Sequence, residues 1–335
     1  MEIRKVQMTG GSSYIITLPK TWIKSLKIKK NDTVGLLTQS DGTLLITPKI
    51  NKEQTQRSKE FEVNFDTNQT NLLRRLIGAY IAGYSTIKIK SNKRLSPNIR
   101  LTVRKFTQTS IGQEVVEETE TYIVIKDLLN PAEMPFERTI KRMHIIVKSM
   151  HEDVFTALKN RDKKLAEDIL TRDNEVDRLH WLVARQYNII LRNINFAETM
   201  GTTIEKAATS FLISRIIERI GDHVNRIGNN VIDMIDDKIH DTFIKDLEPA
   251  GKLSLEIFNK SITSFFRRDI KSANQNIDTV KTLDKECEKI DTLALKLQGS
   301  SAVSLGYLIE SIRRIGEYSE DISETAINFL VGEDN

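Results

Sequence analysis

With a single cysteine, Cys287, in 335 residues, no intramolecular disulfide framework can form, and the chain suits a reducing compartment. Long apolar runs are missing too: no stretch approaches the roughly 20 residues that a membrane span needs. The opening MEIRKVQMTGG has no apolar stretch after its charges and does not read as a signal peptide, so the expected location is cytoplasmic. Aromatic residues make up 6% of the chain, and both tryptophans, Trp22 and Trp181, read as packing residues. Histidines are few. His144, His151 and His240 have no ligand-spaced partner and read as surface residues, and His223 adjoins Asp222 but projects elsewhere. The apolar fraction of 39% and charged fraction of 29% are those of a soluble globular protein, and the length suits two or three domains.

The net charge of +4 is unevenly placed. Residues 1–50 carry eight basic side chains against Glu2, Asp32 and Asp41, so the whole positive excess lies in this segment. That asymmetry points to a polyanion partner, with Arg4, Lys5, Lys20, Lys24, Lys27, Lys29 and Lys30 as candidate DNA contacts. Strand signals at Arg4–Thr9, Ser13–Leu18, Thr33–Thr38 and Leu44–Thr47 surround a short helical stretch, Lys20–Leu26. The Gly10-Gly11 and Ser40-Asp41-Gly42 turns punctuate them. About 45 residues of short strands bury too little surface to be stable alone, so dimerisation is expected.

RKVQ…TGGSSYIITLPKTWIKSLKIKKNDTVGL…GTLLITP resembles the AbrB/SpoVT swapped-hairpin domain over nearly all of residues 1–50. The resemblance implies two chains interleaving hairpins into one small barrel, with basic residues facing DNA. Residues 51–59 are polar and read as a linker. Residues 60–130 read as a small α/β domain: strands Phe61–Phe65 and Thr86–Lys90, helices Asn71–Tyr84 and Pro97–Gln108, and a strand region Glu114–Asp127. It shows no phosphate-binding glycine loop and no nucleophile, and it reads as a spacer. Archaeal proteins that resemble this chain carry a similar segment.

From Pro135 onward the pattern is helical, with a second break at Pro249 and Gly251. The halves, 136–240 and 245–333, form an internal repeat of three helices each: 136–160, 162–194 and 202–237, then 249–268, 269–298 and 302–331. The heptad seam Ile213, Ile217, Ile220, Val224, Ile227, Val231, Met234 returns 95 residues later as Leu308, Ile312, Ile315, Ser319, Ile322, Ala326, Phe329. Ser214, Gly221 and Gly228 recur at a seven-residue step, where close approach of a neighbouring helix would offset glycine's helix cost of about 1 kcal/mol. Cys287 falls in the seam Val280, Cys287, Ile290, Ala294, Leu297 and reads as a buried thiol. The fold class is mainly α: a swapped-hairpin β domain, a small α/β domain, then two tandem three-helix bundles.

Beside the seams run polar stripes. Glu218, Asp222, Asn225 and Asn229 share one face, as do Arg313, Glu317, Glu320 and Glu324. On the middle helices Asp173, Asp177 and His180 align, and 111 residues later so do Asp284, Glu288 and Asp291. Like charges at i, i+4 destabilise a helix by about 0.2–0.5 kcal/mol per pair, which invites a cation. Neutralisation of a solvated face by Arg178, Arg215, Arg219 and Arg226 competes with a divalent or trivalent metal (Mg, Mn, Fe or Zn). A di-iron enzyme is a third reading, but only Asp177-Arg178-Leu179-His180 comes near its Glu-x-x-His motif.

IIERIGDHVNRIGNNV resembles the signature of the PhoU family of phosphate-uptake regulators, and RDNEVDRLHWLV and LDKECEKIDTL resemble its other helix motif. The resemblance covers residues 136–331 and implies two similar three-helix bundles. The family's Asp/Glu-x-x-x-Asp pattern is matched at Glu218–Asp222 and Asp173–Asp177 and approximately at Asp284–Glu288; it fails where Arg313 precedes Glu317. It also implies contact with a phosphate transporter ATPase or a signalling kinase. The expectation is therefore a homodimeric, non-enzymatic, phosphate-responsive transcription regulator with metal-binding bundles; the alternative is an adaptor whose N-terminal domain serves mainly dimerisation.

Overall fold

The computed structural model describes residues 2–38, 42–48, 57–193, 195–236, 240–294 and 299–333. It divides into two compact units, Met1–Thr55 and Gln56–Asn335. In the first unit β1 (Gln7–Thr9) pairs antiparallel with β2 (Ser13–Ile15), and Gly10 and Gly11 turn the chain at φ +60° and +77°. Helix α1 (Lys20–Ser25) follows, then β3 (Gly35–Thr38) pairs antiparallel with β4 (Leu44–Thr47). Ser40 and Asp41 of the expected hairpin turn lie outside the described residues, as do 51–56 of the expected linker; Gly42 has φ +78°. No described residue of this unit is buried.

The second unit opens on β5 (Ser58–Glu62), so the last linker residues are strand. Helix α2 (Gln69–Ile81), β6 (Thr86–Lys90), α3 (Pro97–Thr109), β7 (Gln113–Glu118) and β8 (Tyr122–Asp127) complete a four-stranded sheet of order β5-β6-β8-β7, in which only β5 and β6 are parallel. Alternation places Ile87, Ile89, Ile123 and Ile125 on the face covered by Leu72 and Leu76 of α2 and Val103 and Phe106 of α3. Side-chain caps from Asn68 and Ser96 start the two helices.

Helices α4 (Phe136–Asn160), α5 (Lys163–Ile190), α6 (Asn195–Thr199) and α7 (Ile204–Asp236) build the first repeat; α8 (Asp241–Arg267), α9 (Ile270–Ala294) and α10 (Ser300–Glu333) build the second. Both repeats join their first two helices through an Arg-Asp pair. Arg161 and Arg268 take left-handed backbone at φ 55° and 58°, and Asp162 and Asp269 then cap α5 and α9. Seam residues Ile213 through Met234 are fully buried, as are Leu308 through Ala326, while Phe329 is partly buried. Helix α7 packs on both α5 and α10, and α4 on α8, so one apolar core runs through both repeats.

The break expected at Pro249 and Gly251 does not occur. Both lie inside α8, which continues because Leu247 and Ala250 are buried on either side of the missing N–H. Gly251 is there for space: a Cβ would stand 2.4 Å from Cζ of Phe155. Gly251→Ala is therefore expected to destabilise by about 1–3 kcal/mol despite alanine's better helix propensity. Urea unfolding checks this, and adding Phe155→Leu should shrink the loss. Unchanged stability of Gly251→Ala alone would mean that the ring moves aside freely. Gly316 plays the same part in α10, where a Cβ would lie 2.4 Å from Cδ2 of Leu283.

Candidate functional site

The α5–α7 junction of the first repeat gathers carboxylates. Asp173 and Asp177 stand one turn apart on α5, and Glu218 and Asp222 one turn apart on α7. The helices lie close at Gly221, where an added Cβ would make ordinary contact 3.4 Å from Oδ1 of Asp173. Asn225 Nδ2 donates to Asp173 Oδ2 at 2.6 Å, and Arg215 Nη1 donates to Glu218 Oε1 at 2.8 Å. Asp173 Oδ1 and Glu218 Oε2 are buried with no hydrogen-bond partner. Burial pushes all four carboxyls up. Asp177 rises furthest, to about 7, because the charges of Asp173, Glu218 and Asp222 add to its burial.

The other expected ligands are disposed differently. His180 is buried, its Nδ1 is 3.1 Å from Ser214 Oγ, and its ring stacks on Phe211; burial lowers its pKa to about 4. It packs in the interior and does not turn toward the carboxylates. In the second repeat Arg313 bonds Asp291 at 2.8 Å and Glu310 at 3.0 Å and lies 4.0 Å from Asp284. Glu317 pairs with Arg314 at 2.7 Å, and Glu288 is exposed. Burial and the charge of Glu324 raise the Glu320 carboxyl. Of the arginines expected to neutralise the stripes, Arg215 does so by direct contact and Arg219 through its charge on Glu218 and Asp222, while the guanidinium groups of Arg219 and Arg226 lie over the rings of Tyr318 and Tyr307.

Two histidines expected at the surface are not there. His151 is 2% exposed with Nε2 3.0 Å from Ser254 Oγ, and His144 is half-buried with Nε2 2.7 Å from Asn259 Oδ1. Both serve the α4–α8 contact, which a search for metal-ligand spacing ignores. His240 is exposed and caps α8. Cys287 is fully buried, and burial pushes its thiol up to about 12, so it is a core residue; Leu297 of its seam lies outside the described residues. Arg4, Lys5, Lys20, Lys24, Lys27, Lys29 and Lys30 are all exposed, and Arg4 pairs with Glu2 at 2.6 Å.

A junction that periodicity did not reveal ties the α/β layer to the first repeat. Arg185 of α5 is 1% exposed; its Nη1 donates to the carbonyls of Tyr80 and Tyr84 at 2.5 and 3.0 Å, and its Nη2 to Asp127 Oδ2 at 2.6 Å. Gln186 Nε2 donates to the carbonyls of Pro131 and Met134. The signal in the sequence was the unbroken apolar run Trp181-Leu182-Val183-Ala184, which goes round more than one helix face; in the structure Leu182 through Gln186 are all buried, giving α5 a second covered face.

Paired three-helix bundles sharing one core, with their polar stripes beside the seams, define a helical-repeat protein. Residues 140–231 and 247–326 match the family model described as PhoU domain, just over half of the chain, and the chain belongs to the PhoU family. Residues 7–54 match the model for MazE, a bacterial antitoxin of antidote-toxin recognition, which gives the chain an N-terminal MazE/AbrB-like domain. The phosphate-specific transport system accessory protein PhoU of Serratia marcescens is 24% identical over 197 residues, 56% of this chain and 79% of that protein. An uncharacterized protein of Methanocaldococcus jannaschii is 26% identical over 196 residues, 58% of this chain and 57% of that protein. The crystal structure of PhoU from Pseudomonas aeruginosa shares the fold with a TM-score of 0.53 at 18% identity, over 59% of this chain and 96% of that one.

These findings correct one expectation. The relatives are named as phosphate-transport accessory proteins, not as DNA-binding transcription regulators or as enzymes. Among the described residues no group of three or more His, Cys, Asp or Glu is placed to hold a metal ion. His180 faces inward, Asn225 and Arg215 occupy one oxygen each of Asp173 and Glu218, and Arg313 lies among the carboxylates of the second repeat. The reading as a transcription regulator that senses phosphate through metal-bearing bundles is therefore withdrawn.

Proposed function

We propose that the chain is a cytoplasmic adaptor that regulates a phosphate transporter or a signalling kinase coupled to it, and that its N-terminal unit serves to join two copies. The observation that carries this reading is the match of both helical repeats to the PhoU model, together with relatives named for phosphate-specific transport. An archaeal type of chain is in keeping with the M. jannaschii relative. A peripheral placement accords with the absence, among the described residues, of any helix long and apolar enough to cross a membrane.

Dimerisation is supported by apolar side chains that the first unit leaves uncovered. Tyr14 is 76% exposed, and Met8 and Leu36 are exposed as well. A second copy would cover such residues at about 25 cal/mol per Å² of apolar surface removed from water. Light scattering on the full chain is expected to show a dimer, and Tyr14→Asp with Leu36→Asp a monomer. A cell lacking this protein should misregulate phosphate uptake and recover when the chain is restored. Normal uptake at both high and low phosphate in that cell would refute the adaptor reading, whatever the oligomeric state.

A further inference from the structure

The two repeats carry the same ion pair with opposite polarity. The seams align Ile213 with Leu308, Ile217 with Ile312 and Gly221 with Gly316, so α10 repeats α7 at a spacing of 95 residues. In that register Arg215 corresponds to Glu310 and Glu218 to Arg313. Each pair is made within its own helix at i, i+3: Arg215 to Glu218 at 2.8 Å, and Arg313 to Glu310 at 3.0 Å. The contact is kept and the charges are exchanged.

The exchange matters because the two positions are not equivalent. The second member of each pair is the one turned toward the middle helix. In α7 that member is Glu218, with a side chain 11% exposed, while Arg215 stays on the rim at 47%. A carboxylate there adds negative charge to Asp173, Asp177 and Asp222. In α10 the inward member is Arg313, 24% exposed. Its Nη2 meets Asp291 on α9 at 2.8 Å, its Nη1 meets Glu310, and its Nε stands 4.0 Å from Asp284 on α9. A planar guanidinium with five N–H donors can serve several carboxylates at once, as a point charge cannot.

We propose that the Arg313 guanidinium is the resident cation of the second repeat: it clamps α10 to the acidic stripe of α9, and that stripe takes no divalent ion. A divalent ion would have to expel the guanidinium from its carboxylate partners or sit beside a like charge. Equivalent inward positions of the two repeats thus carry opposite charges, a carboxylate in the first and a guanidinium in the second.

The test is a titration of the full chain with Mn²⁺ alone, in which the resonance of the free aquo ion gives the number bound. Asp284→Asn with Asp291→Asn is expected to leave the number bound by the wild type unchanged. Arg313→Gln frees Asp284 and Asp291 of the guanidinium and is expected to bind one Mn²⁺ more per chain; adding Asp284→Asn to it should remove that ion. If circular dichroism shows this chain to be unfolded, Arg313→Ala takes its place, with the same gain expected. The proposal is overturned if neutralising Asp284 and Asp291 strips Mn²⁺ from the wild type, or if the folded variant binds no more than the wild type does.

Discussion

Arg185→Met is expected to cost the second unit about 3–5 kcal/mol, the range for removing one partner of a buried ion pair. The loss has three parts that the substitution cannot avoid. Asp127 would be left buried without its cation, in a site where burial already pushes its carboxyl up and the Arg185 charge pulls it down. The carbonyls of Tyr80 and Tyr84 would lose their donor. The guanidinium also covers the Tyr80 ring, 4.9 Å from its centroid. For a unit of this size such a loss lowers the melting temperature by roughly 10 °C. Arg185→Met with Asp127→Leu should recover much of it, because replacing both partners leaves no orphaned charge. Thermal unfolding followed by circular dichroism reads both variants. A melting point for Arg185→Met within about 2 °C of the wild type would show that water reaches and solvates the pair.

Asp177→Asn is expected to raise stability above neutral pH, by about 2 kcal/mol once solvent screening of this partly exposed site is allowed for. The sign follows from proton binding. The Asp177 carboxyl is raised from its usual 3.8 to about 7 in the folded chain, so between these values the folded state binds the proton that the unfolded state has released. Its contribution is favourable below the unfolded value and is lost as pH rises through about 7. Wild-type stability should therefore fall across this window, and Asp177→Asn should flatten that part of the profile. Asp173, Glu218 and Asp222 are raised as well and keep some of the slope in the variant. Unfolding midpoints at pH values on either side of 7 decide it. A variant whose midpoint follows pH as steeply as the wild type would remove Asp177 from the account.

Much of the fold was legible because the helices are long and their burial is periodic. Every seam residue from Ile213 to Met234 is buried, and the internal repeat follows from two seams with one spacing. The α/β segment was readable as alternating elements, but its first strand, expected at Phe61–Phe65, lies at Ser58–Glu62, and the division of its last strand region into β7 and β8 escaped, since Thr119–Thr121 carries no glycine or proline turn signal. Pro249 and Gly251 misled for a physical reason. A proline and a glycine mark a break only where packing on either side is weaker than the backbone cost, and here Ala250 is buried and Phe155 fills the space beside the glycine.

The candidate site was legible as composition but not as chemistry. Spacing aligned Asp173, Asp177 and His180 on one face, yet His180 bonds Ser214, because a helix face about 100° wide spans both interior and rim. Spacing likewise could not show that Arg215 and Arg313 occupy opposite ends of equivalent ion pairs. By itself the sequence determined the helices, the repeat and the places where carboxylates gather, because these depend on neighbours a few residues away along one chain. Only the tertiary structure decided which carboxylates are neutralised, which histidines are buried and where Arg185 anchors the α/β layer. Those outcomes depend on groups brought within 3 to 4 Å from helices and strands remote in sequence, where desolvation and Coulomb energies vary steeply with distance.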